Sequence, residues 1–292
     1  MSSFTERAWP KVNLTLRVLG RRSDGYHEIE SLVAFARDVA DRITLRPGPG
    51  EPHVTSSGPF AAGITGTNLI AVALARAART EPRLILGGVD LEKNIPVAAG
   101  IGGGSADAAA VLRAVRAANP GLAASVDWHA ISASLGADVP VCLDPRPQVM
   151  RGIGDQLATL PALPELAAVL VNPLLSVPLD KTAQVFRRLG AARLVTPSPA
   201  RRTPAHFADR ASLLDHIRRT ANDLLAPARL VVPAIDIVLA ALEAAPGCEL
   251  AQLSGGGPTC FGLFCDSAAA EVATRSLRAS HPQMWIVPSR LG

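Results

Sequence analysis

Apolar and polar residues alternate from Val12 to Val18, with Val12, Leu14, Leu16 and Val18 on one side and Asn13, Thr15 and Arg17 on the other. A period of two predicts a half-buried strand. A polar turn, Gly20 to Gly25, follows, and Glu28 to Phe35 and Asp41 to Leu45 read as further strands. At Thr67 the pattern changes to that of a helix, capped by Thr67, with Leu69, Ile70, Ala73, Leu74 and Ala77 inward. Arg83 to Ile95 returns to extended structure. Asp107 to Ala118 then keeps helical spacing through Ala108, Val111, Leu112 and Val115 until Asn119-Pro120-Gly121 stops it. The next helix runs from a Ser125 cap through Trp128, Ile131 and Leu135 to Gly136, whose missing Cβ suits a left-handed position after the helix.

Beyond Arg151 prolines punctuate the chain, and a Pro- and Arg-bearing loop from Gly190 to Arg210 separates helices around Lys181 to Leu189 and Ala211 to Thr220. The remainder reads helix (Pro233 to Ala245), strand (Glu249 to Leu253), glycine turn, strand (Thr259 to Phe264), helix (Ala268 to Ala279) and strand (Trp285 to Val287). This is an α+β pattern, and the change of texture puts a domain boundary near residue 156.

Composition narrows the picture. Seven Phe, three Trp and one Tyr among 292 residues leave the core to Ala, Val, Leu and Ile, and make Tyr26 conspicuous. Only 18% of residues are charged against 48% hydrophobic, which excludes a disordered polyelectrolyte. The net charge of +4 is spread without a block of like charges, which fits an enzyme of small anions better than a nucleic-acid coat. Cys142, Cys248, Cys260 and Cys265 contain no C-x-x-C and read as reduced thiols of a cytoplasmic protein. His53, His129, His206, His216 and His281 show no metal-ligand spacing, so no structural zinc is expected. The start of the chain lacks the apolar core of a secretory signal, and the longest uncharged stretches are broken by Gly, Pro and polar residues, so no membrane span is expected.

Five segments offer chemistry. Gly102-Gly103-Gly104 after Ile101 permits close backbone approach, and Ser105 then opens a helix whose first N–H groups carry the positive end of the dipole; together they form an anion cradle suited to phosphate. The plainer alternative is a flexible turn with a serine cap. Neither a Walker A loop nor a dinucleotide fingerprint fits, because no Gly-Lys-Ser/Thr follows and Ser105 stands where the last glycine belongs. Asp107 in the same turn repels an anion unless it points away or meets a cation. Lys11 and Asn13 share the polar face of the first strand, where Lys11 is either a solvated charge or a phosphate contact. Asp138, held between a helix stop and Pro140, suits a general base or a simple turn. Tyr26 and His27 present two rings side by side, either packed on a surface hairpin or stacked on a base. Ser254 to Gly257 is a tight turn whose N–H groups are a second candidate anion nest.

Taken in order, these segments resemble the GHMP kinase superfamily. Pro96-Val97-Ala98-Ala99-Gly100-Ile101-Gly102-Gly103-Gly104-Ser105-Ala106 resembles its phosphate loop, Gly136-Ala137-Asp138-Val139-Pro140 its catalytic-aspartate segment, and Ser254-Gly255-Gly256-Gly257 its third motif, with Gly256 in place of a second serine. Lys11-Val12-Asn13-Leu14 and Asp24-Gly25-Tyr26-His27 are similar to the branch acting on a cytidine-diphosphate-linked methylerythritol. The resemblance implies a two-domain α+β fold, with a mixed α/β ATP-binding domain at 1–156, a ferredoxin-like domain at 157–292 and the active site in the cleft between them. It implies ATP as co-substrate with Mg²⁺, and transfer of a phosphoryl group to the 2-hydroxyl of that small molecule. Asp138 then accepts the hydroxyl proton and Lys11 orients it and offsets charge. The glycine loop holds the ATP phosphates, with Asn68 and Lys93 near the nucleotide. Tyr26 and Phe186 sandwich the cytosine, His27 reads its edge, and Asn13 and Thr182 hold polar groups of the substrate. No acidic Mg²⁺ ligand is evident, which leaves the metal to ATP with Ser105 as candidate partner. Implied partners are small molecules alone, with neither nucleic acid nor membrane, for a monomer or weak homodimer. A mevalonate- or homoserine-type kinase and a non-catalytic nucleotide or RNA binder are the alternatives; Tyr26-His27 favours an acceptor that carries a base.

Overall fold

In the computed structural model, which describes residues 2–178, 180–194 and 203–292, the expected loop from Gly190 to Arg210 lies partly outside the described residues. The chain opens with strands β1 (Phe4–Ala8), β2 (Lys11–Asn13), β3 (Arg17–Arg21), β4 (His27–Phe35), β5 (Asp41–Pro47) and β6 (His53–Ser57). Helix α1 (Leu69–Thr80) and strand β7 (Gly87–Glu92) precede α2 (Gly103–Ala118), α3 (Trp128–Ala133) and α4 (Val139–Leu143). Strands β8 (Gln148–Gly152), β9 (Gln156–Thr159) and β10 (Leu166–Asn172) lead to α5 (Lys181–Leu189), α6 (Arg210–Thr220), α7 (Leu225–Val231) and α8 (Ala234–Glu243). Strands β11 (Cys248–Leu253) and β12 (Cys260–Phe264), helix α9 (Ser267–Ser280) and strand β13 (Trp285–Leu291) complete the order. Two compact units form, one from the described residues of Met1–Pro10, Val39–Val97 and Gly102–Pro145, the other from those of Lys11–Asp38, Ala98–Ile101 and Arg146–Gly292. They interleave along the chain.

The first unit carries a sheet ordered β1-β5-β7-β6, antiparallel except for the β6–β7 pair. Strand β6 is not anticipated, because its His-Val-Thr-Ser-Ser run lies exposed at a sheet edge and needs no apolar alternation. Helix α1 is capped by Asn68 rather than Thr67: the Asn68 side-chain Oδ1 accepts from the Ile70 N–H at 2.9 Å. Ile70, Ala73, Leu74 and Ala77 are buried as expected. Helix α2 starts at Gly103, four residues before the expected Asp107, and is buried continuously from Ala106 to Val115 against β1, β5, α1 and α4. Its alanines let neighbours approach on every side, and the buried Arg113 is satisfied by the Glu6 carboxylate and the carbonyls of Arg7 and Cys142. Asp127, not Ser125, caps α3 by accepting from the Ala130 N–H at 2.8 Å. Because α3 ends at Ala133 with Ser134 as its C-cap, Gly136 lies beyond the left-handed closing position. Its φ of +150° belongs to the turn that begins α4.

The second unit holds two sheets. In the first, β2 and β3 both pair with β4, which continues to β8 and β9. The strand expected from Val12 to Val18 therefore breaks at Leu14–Leu16. Asn13 and Thr15 are as buried as Val12 and Leu14, so the alternation does not separate a wet face from a dry one. Thr15 is satisfied internally, its hydroxyl accepting from the Leu32 N–H at 3.1 Å. The other sheet, ordered β11-β12-β10-β13 and antiparallel throughout, has the connectivity of a ferredoxin-like βαββαβ unit. Central β10 is buried at all seven positions, and such a continuously apolar run hides a strand from any search for alternation. Pro288, without an N–H, sits in the edge strand β13. Helix α8 packs on β11 and β12, and α9 on β10, β12 and β13, around Leu242, Val169, Phe264 and Leu277.

Leu242 and Ile237 on α8 provide a test of this core, since the first is fully buried and the second 57% exposed. Leu242→Ala is expected to cost about 2–5 kcal/mol of unfolding free energy by denaturant titration, and Ile237→Ala less than about 0.5 kcal/mol.

Candidate active site

Strand β2 places Lys11 and Asn13 on one face, and neither is solvated: they are 5% and 2% exposed. The Lys11 ammonium donates to the Asn13 Oδ1 at 2.9 Å, and the Asn13 Nδ2 donates to the Ser31 Oγ at 2.7 Å. The Asn13 backbone N–H donates to the Ser254 Oγ at 3.1 Å. Strand β2 and the third glycine motif are thus joined through a buried polar network, in which each short bond is strengthened by exclusion of water.

The Ser254–Gly257 turn also meets the start of the phosphate loop. Gly100, at φ +79°, lies so close to the carbonyl oxygen of Gly257 that no Cβ fits there. The Ala99 carbonyl accepts from the Thr259 N–H at 3.1 Å and from its hydroxyl at 2.7 Å. Ala98, a non-glycine residue at φ +55°, shows that the loop is held in a conformation L-residues avoid. After Gly102, also left-handed at φ +65°, helix α2 begins inside the glycine run, so Ser105 is a first-turn residue rather than a cap. Gly104 is exposed, and a Cβ there meets nothing within 4 Å. Helix α2 has 16 residues, and the N–H groups of its first turn precede any carbonyl partner within the helix.

Lys93 and Asp107 belong together. The Lys93 ammonium is 3% exposed and bonds Asp41 at 2.5 Å and Asp107 at 2.7 Å. Asp41 also accepts from the N–H groups of Asn94 at 2.6 Å and Ile95 at 2.9 Å, fixing the entry to the loop. Lys93 is the cation that Asp107 requires, and its charge is spent inside the protein. Burial opposes the Lys93 charge, but Asp107 and Asp41 outweigh it and raise its pKa. Two carboxylates share one ammonium, and burial pushes the Asp107 carboxyl up to about 8 against the pull of Lys93. Asp107 Oδ1 has no hydrogen-bond partner, consistent with a carboxyl that is not fully compensated.

Asn68 is occupied as the cap of α1. Asp138 is half-buried at the N-cap position of α4, with Pro140 in that helix's first turn, and makes no capping bond to it. The expected base-binding residues assemble in part: the rings of His27 and Phe186 stack at 4.7 Å with 26° between planes. Tyr26 stands beside them 61% exposed, and Thr182 is exposed one turn before Phe186. Burial, reinforced by Arg21, lowers the His27 pKa, so the imidazole is neutral near pH 7 and has both a donor and an acceptor nitrogen. Ser31, Asp41, Lys181 and Asn222 complete these networks without a sequence signal, because the side-chain bonds that tie them in reach segments distant in the chain.

Two family models match the chain, the GHMP kinases N terminal domain over residues 68–144 and the GHMP kinases C terminal over residues 207–283. The chain belongs to the GHMP kinase family. Among relatives of this GHMP kinase, the 4-diphosphocytidyl-2-C-methyl-D-erythritol kinase of Rhodopseudomonas palustris (strain HaA2) is 47% identical over 98% of this chain and 97% of its own. The enzyme of that name from Methylorubrum extorquens (strain PA1) is 47% identical over 100% of both. A solved structure of 4-(cytidine 5'-diphospho)-2C-methyl-D-erythritol kinase is 34% identical, covers 99% of each chain and superposes with a TM-score of 0.77. Homoserine kinase from Cytophaga hutchinsonii, 18% identical over 99% of this chain and 95% of its own, shares the fold with a TM-score of 0.70.

The Lys93 cluster makes stability depend on pH. The folded-state pKa of Asp107 lies above its ordinary 3.8, so the folded protein holds a proton that the unfolded chain releases. That contribution is complete at low pH and is lost as pH rises toward 8. In thermal melts, Asp107→Asn is expected to flatten the fall in Tm between pH 5 and 8 relative to the parent protein.

Proposed function

We propose that this GHMP kinase transfers the γ-phosphoryl group of ATP to the 2-hydroxyl of 4-diphosphocytidyl-2-C-methyl-D-erythritol, giving the 2-phosphate and ADP in non-mevalonate isoprenoid precursor synthesis. The observation that carries this reading is identity of 47%, sustained over essentially the whole chain, with kinases named for that substrate.

The attacking oxygen forms a bond to the γ-phosphorus as the bond to ADP breaks, and Asp138 accepts the hydroxyl proton. As the N-cap residue of α4, with Pro140 in that helix's first turn, Asp138 has a defined backbone position, which suits a base that must meet one hydroxyl. Lys11, pinned by Asn13, supplies fixed positive charge against the transferring phosphoryl group. The first-turn N–H groups of α2 hold ATP phosphates. Lys93 acts on that segment indirectly, by tying Asp107, just past the first turn of α2, to Asp41 at its entry. Tyr26 and Phe186 flank the cytosine, and the neutral His27, packed on Phe186, reads its edge. Asn13 and Thr182 hold polar groups of the substrate.

Among the described residues no cluster of three His, Cys, Asp or Glu side chains fits a resident divalent ion, and Asp41 and Asp107 are taken by Lys93. Mg²⁺ therefore belongs to this reading as the counter-ion that ATP brings, with the Ser105 hydroxyl as the protein group offered to it. No described helix is long and apolar enough to cross a membrane. A monomer or weak homodimer working in the cytoplasm on small molecules alone completes the reading.

The test is ADP release by the purified chain with the cytidyl compound, mevalonate and homoserine as separate acceptors. Turnover of the cytidyl compound is expected, and turnover of mevalonate alone overturns the reading. Asp138→Ala should lower kcat by at least about two orders of magnitude while melting near the parent protein. Tyr26→Ala should raise KM for the cytidyl compound by the equivalent of about 1–3 kcal/mol, leaving KM for ATP in place.

A further inference from the structure

The chain has 29 Lys and Arg residues, and only Lys11, Lys93 and Lys181 are lysines. All three are buried, at 5%, 3% and 5% exposure. Surface cations here are arginines throughout, so lysine occurs only where a compact ammonium must fit inside the protein. Lys11 and Lys93 belong to the networks above. Lys181, the first residue of α5, has no role in the mechanism just described.

Lys181 pairs with no carboxylate among the described residues. Its ammonium donates to the carbonyl oxygen of Gly256 at 3.2 Å and to that of Gly257. Burial alone pulls its pKa down, to about 8, and no neighbouring anion offsets the cost. An uncompensated buried cation is expensive and calls for a reason.

The turn it serves supplies one. The Ser254 carbonyl accepts from the Gly257 N–H at 3.0 Å, and the Gly255 carbonyl from the Asn222 Nδ2 at 2.9 Å. With Lys181 on Gly256 and Gly257, all four carbonyls of the turn are occupied by donors of the protein. The Ser254 N–H goes to the Thr259 carbonyl, whereas the N–H groups of Gly255 and Gly256 have no acceptor among the described residues. A Cβ at Gly256 meets nothing within 4 Å. Two unspent N–H donors on a turn backed by an uncompensated ammonium match an anion that carries more than one charge.

We propose that Lys181 is a positioning residue that fixes the Ser254–Gly257 turn through its carbonyls and gives that turn the positive charge to hold a diphosphate group of a substrate. The proposal rests on the kinase reading, in which both ATP and the cytidyl acceptor carry a diphosphate.

The full chain, Lys181→Met and Lys181→Gln are compared by calorimetric titration with ADP, AMP, CDP and CMP, alongside thermal melts. Both variants are expected to fold and to lose at least about tenfold in affinity for ADP or CDP, with AMP and CMP changing far less. Loss confined to ADP assigns the turn to the ATP phosphates, and loss confined to CDP assigns it to the acceptor. In turnover the matching KM rises more than kcat falls. Unchanged ADP and CDP binding in either folded variant overturns the proposal. So does equal loss for the monophosphates, or failure of both variants to fold, since each makes Lys181 merely structural. A parent protein that binds ADP or CDP through Lys181 yet does not phosphorylate the cytidyl compound would remove the substrate assignment and leave the role of Lys181 standing.

Discussion

Any side chain at position 100 would run into the carbonyl oxygen of Gly257, and the site depends on that backbone-to-backbone contact. The contact brings the Ala98–Ile101 stretch against the third glycine turn, and Thr259 fastens the two by donating twice to Ala99. From the turn the order spreads outward. Ser254 receives the Asn13 N–H, Asn13 receives the Lys11 ammonium, and Ser31 receives the Asn13 amide. Left-handed backbone at Gly100, Gly255 and Gly257 is what allows two loops to lie this close without side chains between them.

Each of the three lysines is handled by a different electrostatic device. Lys93 is held between Asp41 and Asp107, which turns its charge into a structural tie from Asp41 to the N-terminal part of α2. Lys11 donates to the Asn13 amide oxygen, which orients the ammonium from within the same strand. Lys181 meets only backbone carbonyls, whose partial charges polarise the turn without cancelling the cation.

Much of the fold was legible from residues 233 onward and in α1, because their apolar spacing matches the element each forms. Strand β10 was not, since it is apolar at nearly every position and is buried on both faces. Strand β6 escaped for the opposite reason, being an exposed edge. The helix caps went to neighbours of the expected residues: Asn68 and Asp127 compete with Thr67 and Ser125 at nearly equal propensity, and packing chooses between them. Among the site residues, the glycine runs, Asp138, Lys11 and Asn13 announce themselves by type and spacing. The stacking of His27 on Phe186 does not, because 159 positions separate the two rings (186 minus 27).

The sequence by itself determined the family, the order of its motifs and the kind of chemistry, because a glycine run before a helix and an aspartate at the start of a proline-bearing helical turn constrain the backbone locally wherever they occur. Only the tertiary structure decided what each charge is for. Lys93 read as a residue near the nucleotide and is the buried partner of two aspartates; Asp107 read as a possible obstacle to an anion and is held by that lysine. Lys181 drew no notice in the sequence and lies against the third glycine turn. A charged group's role depends on which groups it meets and how much water is removed around it, and those are properties of contacts between distant segments.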